Sequence, residues 1–259
     1  MKRAIDFYYF TGTGNTLLVV KQMKKIFEEN RYKTDLHRIE KTDPQTINPQ
    51  RTVGLAVPVA FQTTYPFIWN FINNLPEVDS TEIFLVDTMG GFSGGLIGPV
   101  KKTLAKKGYI PIGAKEIKMP SNFNKKQLSE TKKEKIISKG LHKAKLFAHD
   151  LVFGLAKWPR IPFISDGLKK LGTSEFLMNK LRNKYPVQLN EYKCIRCGLC
   201  FRLCPVDNIE MKDYPEFLDK CEFCQRCLNF CPTNAIIFHG KELAKYSSME
   251  VEEILGEKA

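Results

Sequence analysis

All eight cysteines of this chain stand in two copies of one pattern. Cys194, Cys197, Cys200 and Cys204, followed by Pro205, read C-x2-C-x2-C-x3-C-P, and Cys221, Cys224, Cys227 and Cys231, followed by Pro232, repeat it. Each cysteine of the second run lies 27 positions after its counterpart in the first. Two-residue gaps let successive thiolates point into one concave loop, where backbone N–H groups can also face inward. The prolines, with fixed φ and no N–H, constrain the chain just after the fourth thiol. Such a loop suits a metal–sulfur cluster. A disulfide framework needs an oxidising compartment, and no signal-peptide pattern opens the sequence. Zinc sites pair one C-x2-C with a distant second pair, whereas each run here packs four thiols into eleven residues.

The two runs resemble those of the bacterial two-cluster ferredoxins. In that family the first three cysteines of a run hold one cube and the fourth reaches over to the other. The resemblance implies one [4Fe–4S] cluster on Cys194, Cys197, Cys200 and Cys231, and a second on Cys221, Cys224, Cys227 and Cys204.

The other informative region lies near residue 11. Residues 3–10 are rich in β-formers and aromatics and read as a strand, and residues 17–29 carry apolar positions at helical spacing. Between them runs Thr11-Gly12-Thr13-Gly14-Asn15-Thr16. A strand, a Gly/Thr loop and a helix place backbone N–H groups and the positive end of a helix dipole around an anion. No Gly-Lys-Ser/Thr follows, so this is not a Walker loop. The loop resembles the T-x-T-G-x-T phosphate loop of flavodoxins, which implies FMN as the ligand. An ordinary βα turn is the competing reading.

Further strands are expected at Lys33–Ile39, Thr52–Val57, Glu82–Asp87 and Ile110–Met119, with helices near 65–74 and 95–107. Alternation of this kind predicts a parallel sheet with both faces covered, and a ligand beyond the C-terminal strand ends. Two loops leave those ends. Pro58, Val59, Ala60 and Phe61 follow the third strand, and Thr88, Met89, Gly90, Gly91, Phe92 and Gly94 follow the fourth. By the flavodoxin resemblance these loops would clasp the flavin ring. The ring-stacking aromatics stay unassigned, because Phe61, Tyr65 and Phe92 fit packing as well as stacking.

Together the two ends resemble fused flavodoxin–ferredoxin proteins. The fold expected is a flavodoxin-like doubly wound α/β sheet, plus a small α+β two-cluster ferredoxin domain joined by a helical connector. The domains expected are 1–156 for FMN, 157–187 for the connector, 188–240 for the clusters, and 241–259 as an acidic tail.

Between the ends, residues 124–156 carry Lys125, Lys126, Lys132, Lys133, Lys135, Lys139, Lys143 and Lys145 among apolar residues at helical spacing. One or two amphipathic helices are expected, with a break near Gly140. A further helix is expected over 165–184, and Ser247 to Glu250 offers a capping box for a short terminal helix. Net charge is +5 over 1–123, +10 over 124–190 and −3 over 191–259. The basic segment is open to three readings: a solvated helix face, steering of an acidic electron carrier, or adsorption to an anionic membrane surface. No nucleic-acid module is visible. His37, His142, His149 and His239 form no ligand set, and no apolar run reaches the ~20 residues that span a bilayer.

The function expected is cytoplasmic electron transfer between two [4Fe–4S] clusters and FMN, linking a ferredoxin-type donor to a flavin-dependent acceptor. Two alternatives stand beside it: an FMN-dependent reductase of a small molecule, and an electron-input subunit of a larger complex. No catalytic side-chain constellation is visible, and redox proteins are the partners implied. A homodimer is compatible with the sequence.

Overall fold

The computed structural model describes residues 3–122, 128–159, 172, 174–241 and 244–256. It divides into two compact units, one of Met1–Thr11, Asn15–Pro120 and Glu130–Thr173, the other of Gly12–Gly14, Ser121–Ser129 and Ser174–Ala259. The connector expected at 157–187 is therefore shared between the two units. Its first residues lie against the sheet of the first unit: Ala114 N–H donates to the Lys157 carbonyl at 3.1 Å, and the Trp158 indole donates to the Ile97 carbonyl at 3.1 Å.

In the first unit, β1 (Ala4–Tyr9), β2 (Lys33–Arg38), β3 (Thr52–Pro58), β4 (Thr81–Met89) and β5 (Tyr109–Lys118) form one sheet. The order is β2-β1-β3-β4-β5, and every pairing is parallel. Parallel strands need crossover connections: α1 (Asn15–Glu29) joins β1 to β2, α2 (Pro66–Asn73) β3 to β4 and α3 (Ile97–Lys106) β4 to β5, while α4 (Glu130–Val152) follows β5. Both faces of β3 and β4 are consequently apolar, and Val53, Leu55, Val57, Ile83, Leu85 and Val86 are fully buried. Phe7 of β1 meets Phe84 of β4 edge to face at 5.1 Å, and Phe84 meets Phe147 of α4 at 6.5 Å.

The expected break at Gly140 does not occur, and α4 runs through it. A Cβ there would meet Met119 Sδ at 2.6 Å and the Lys118 carbonyl at 3.0 Å. The glycine serves close approach of the helix to the end of β5. The cost of about 1 kcal/mol for glycine inside a helix is offset by the packing of Ala144, Phe147, Ala148 and Leu151 on the same face.

In the second unit, β6 (Val187–Leu189) pairs antiparallel with β9 (Ile236–Phe238), and β7 (Ile209–Met211) with β8 (Pro215–Phe217). Short helices α5 (Glu175–Lys184), α6 (Leu199–Leu203), α7 (Arg226–Phe230) and α8 (Val251–Leu255) complete it. Leu228, Ile236 and Phe238 form its core, packed by Tyr185, Val187, Leu189 and Phe217 and by Cys200, Cys227 and Cys231. Of the helix expected over 165–184, α5 is described; the remainder apart from Gly172 and Ser174, like Lys125 and Lys126, lies outside the described residues. The terminal helix forms but without the capping box. Glu250 occupies its N-cap position with no side-chain bond, and the Ser247 hydroxyl accepts from Met249 N–H at 3.3 Å instead.

Candidate functional site

The parallel order places the C-terminal ends of β1, β3 and β4 side by side, with Tyr9 opposite Ala56 and Pro58 opposite Thr88. Three loops leave these ends. In the first, Thr11, Thr13 and Thr16 are buried, and Gly14 takes φ +107°, a conformation that favours glycine. The Asn15 amide donates to the Pro120 carbonyl at 2.8 Å, fixing the start of α1 against the end of β5. No acidic side chain stands in the first turn of α1 to neutralise its dipole.

The second loop turns tightly. Ala60 and Thr63 exchange both backbone hydrogen bonds, at 3.0 and 2.9 Å, around Phe61 at φ 51° and Gln62 at φ 68°. Two left-handed residues in succession usually mean Asn-Gly, so Phe61 and Gln62 hold this turn at a cost. What holds it is the third loop. The Gln62 carbonyl accepts from Gly94 and Gly95 N–H at 3.2 and 2.7 Å, and the Thr63 hydroxyl donates to the Gly95 carbonyl at 2.9 Å. The Trp69 indole in turn donates to the Thr63 hydroxyl at 2.9 Å.

Val59 N–H donates to the Thr88 carbonyl at 2.9 Å, and the Thr88 hydroxyl lies 2.8 Å from that of Thr16. Of the residues expected from sequence, Thr16, Val59, Thr88 and Gly94 thus take part in hydrogen bonds between these loops. Tyr65 is buried and packs against Phe10 and Phe67. Phe92 is 70% exposed and Phe61 half-buried, so both reach the surface of these loops.

Two polar residues here carry no sequence signal. The Ser93 hydroxyl and both Asp87 oxygens are buried without a hydrogen-bond partner among the described residues. Burial pushes the Asp87 carboxyl well above the usual carboxylate range, and Glu116 opposite it on β5 adds to the push. Both influences favour the protonated carboxyl in the folded chain. Only its place in an otherwise apolar strand run could have marked it. Ser93 of the third loop and Thr16 at the start of α1 are buried polar residues at the strand ends of the first unit, where a polar ligand could meet them.

The cysteine runs fold alike. Arg196 N–H and Phe223 N–H donate to the sulfurs of Cys194 and Cys221, and Asn208 N–H and Ala235 N–H to those of Cys204 and Cys231. Cys194, Cys197, Cys200 and Cys231 line one cavity, and Cys204, Cys221, Cys224 and Cys227 line another. The fourth cysteine of each run thus stands with the first three of the other. No three His, Cys, Asp or Glu side chains among the described residues converge on a single-ion site, whereas each cavity has four sulfurs in its wall, as a multi-iron cluster requires. Burial pushes the free thiols of Cys200 and Cys221 up to about 11 and that of Cys224 up to about 12. Burial acts on Cys231 in the same direction, but the N–H groups of Thr233 and Ala235 outweigh it and leave that thiol lower than usual.

A sheet of order 2-1-3-4-5 with a Gly/Thr loop at its β1/β3 switch point defines a flavodoxin-like unit, and residues 193–235 match the 4Fe-4S dicluster domain family. Pyruvate synthase subunit PorD of Methanocaldococcus jannaschii is 35% identical over 68 residues, covering 22% of this chain and 78% of that protein. UacF of Escherichia coli is 40% identical over 57 residues, and the match spans 19% of this chain but 9% of that protein's length. Among solved structures, an archaeal flavodoxin aligns over 57% of this chain and 98% of its own, with a TM-score of 0.42 and 8% identity. Megasphaera elsdenii flavodoxin aligns over 54% and 98%, with a TM-score of 0.39 and 16% identity. Through its C-terminal part the chain belongs to the 4Fe-4S dicluster domain family, and its first unit has a flavodoxin-like fold. No helix among the described residues is long and apolar enough to cross a membrane.

Proposed function

We propose that this protein relays low-potential electrons between two [4Fe–4S] clusters and FMN, connecting a ferredoxin-type partner to a flavin-dependent one. The observation that carries the reading is the sorting of eight thiols into two cavities of four, in the same chain as a switch-point loop suited to a flavin phosphate. Cys194, Cys197, Cys200 and Cys231 would hold one cluster and Cys221, Cys224, Cys227 and Cys204 the other. When bound, such clusters supply single-electron steps and FMN accepts one electron or two, so the pairing suits conversion between the two modes.

The chain's own residues set the conditions. Thr11, Gly12, Thr13, Gly14, Asn15 and Thr16 would bind the FMN phosphate. The Thr16 hydroxyl can accept from Thr88 and still donate to a phosphate oxygen, since a hydroxyl carries one donor and two lone pairs. Pro58 to Phe61 and Thr88 to Gly94 would flank the ring, with glycines admitting close approach.

A second reading draws on PorD, which its name makes a subunit of pyruvate synthase. By that likeness the chain would be the electron-input subunit of a larger complex. Anaerobic titration of the purified protein with a reduced ferredoxin, followed at cluster and flavin wavelengths, separates the readings. The relay expects both chromophores to be reduced by the isolated chain. Cluster reduction that never reaches the flavin would leave the subunit reading.

A further inference from the structure

The two cysteine runs fold alike but differ in one buried charge. Where the first run has Leu199, the second has Arg226, the first residue of α7. Arg226 is 3% exposed and stands in the wall of the cavity formed by Cys204, Cys221, Cys224 and Cys227. Its Nη1 points toward the Leu203 carbonyl at 3.4 Å, next to Cys204 in sequence, and its charge is felt at Cys224. One buried guanidinium thus shares a cavity wall with four thiols drawn from both runs.

We propose that Arg226 is a potential-setting residue, whose buried charge selectively stabilises the reduced form of the second centre and leaves that centre the more easily reduced of the two. The inference rests on the reading that the cysteines hold two [4Fe–4S] clusters. On taking one electron from an external reductant a centre gains one negative charge, and no proton or bond moves. A cation beside it favours that state, and burial spares the interaction the screening that exposed charges undergo.

The other charged groups near the cavities are placed less favourably. Arg182 donates to the Cys221 carbonyl at 2.9 Å but is only half-buried, so its charge is more screened by solvent. At the first cavity Arg196 is exposed, stacked 4.2 Å from the Tyr214 ring centroid and bonded to its hydroxyl. Lys245 donates to the Cys231 carbonyl from a half-buried position. Cys197, in the first run, is the one exposed cysteine. An electron arriving at the first centre would therefore pass on to the second and rest there.

The test is an EPR-monitored redox titration of the full chain, with the centres assigned through the paramagnetically shifted β-protons of their cysteines. Arg226→Gln should lower the reduced-to-oxidised ratio of the second centre at least tenfold at fixed ambient potential, about 59 mV for one electron. The first centre should stay where it was, and Arg226→Lys should restore most of the shift. Equal movement of both centres, or of neither, overturns the proposal. Iron assays separate the two ideas: about eight iron per wild-type chain with no selective shift sinks the role of Arg226 alone. Far fewer iron sinks the cluster reading beneath it. Should Arg226→Gln lose its second cluster, the wild-type order decides, and a second centre that is harder to reduce than the first refutes the proposal.

Discussion

Arg196 and Phe223 share one backbone conformation: each sits at φ 58°, and each donates its N–H to the sulfur of the cysteine two residues before it. The pairing extends along both runs. Gly198 and Gln225 lie at φ 70° and 66°, and Asp207 and Asn234 at φ 48° and 56°. Only one of these six residues is glycine, so five non-glycine side chains accept a sparsely populated region twice over in register. Strain repeated at equivalent positions is what a loop shaped around a common ligand would leave.

Exchange of the fourth cysteines between runs makes a prediction opposite to that of sequence proximity. Cys204→Ala should impair the centre of Cys221, Cys224 and Cys227 and spare that of Cys194, Cys197 and Cys200. Iron and sulfide analysis with EPR of the remaining cluster checks this. Loss of the signal assigned to the first run would refute the crossed arrangement.

Replacement of Thr13 and Thr16 together by alanine should weaken FMN binding by about 2–4 kcal/mol, taking roughly 1–2 for each hydrogen bond to a charged group. FMN should be preferred to FAD, because a loop closed on a terminal phosphate leaves no room for an adenylate. Flavin fluorescence titrations measure both. Thr88→Ala serves as control, since it removes the tie to Thr16 but no phosphate contact.

Asp87 gives a pH signature. Its folded pKa is raised, so the folded chain keeps a proton that the unfolded chain releases above about pH 4. Stability is therefore lost as pH rises between the unfolded and folded pKa values. Asp87→Asn removes that loss. The variant's advantage over wild type should grow as pH rises above about 4, by up to about 1.4 kcal/mol per pH unit, until Asp87 ionises in the folded chain. Urea unfolding followed by tryptophan fluorescence reads this, because Trp69 and Trp158, the only tryptophans, both lie in the first unit. A constant difference above about pH 4 would show that Asp87 ionises as readily in the folded chain as in the unfolded one.

On α4, Lys132, Lys135, Lys139, Lys143 and Lys145 are exposed, while Lys133 pairs with Glu130 at 2.7 Å. If they steer an acidic carrier, reversal of Lys132, Lys133 and Lys135 to glutamate should slow electron delivery from a ferredoxin and flatten its salt dependence. Flavin and iron content should not change. Loss of binding to anionic vesicles with ferredoxin kinetics intact would assign the face to a membrane surface instead. If neither quantity moves, the lysines are a solvated helix face.

Local signals carried the outline of the fold. Strands β1 to β5 fall within two residues of where β-forming runs ended in glycine, proline or polar turns, and the Gly/Thr loop sits where a strand gives way to helical spacing. The break expected at Gly140 failed because glycine's low helix propensity is a local cost, whereas the reason for the glycine lies across space at Met119 and Lys118. The capping box failed for a related reason: Ser247 found a nearer partner in Met249.

By itself, the sequence determined that eight thiols in two registers would form two equivalent loops, because cysteine spacing constrains a loop locally. It also determined that a phosphate-type loop would open the first helix. Which thiols share a cavity was implied by the family resemblance but not by the spacing itself, since Cys231 joins Cys194 only when the two halves of the second unit fold against each other. Tertiary structure alone decided that Arg226 is buried where Arg196 is exposed, and that Asp87 loses its solvent with nothing to replace it. Burial is a property of neighbours brought from far along the chain, so no window of sequence contains it.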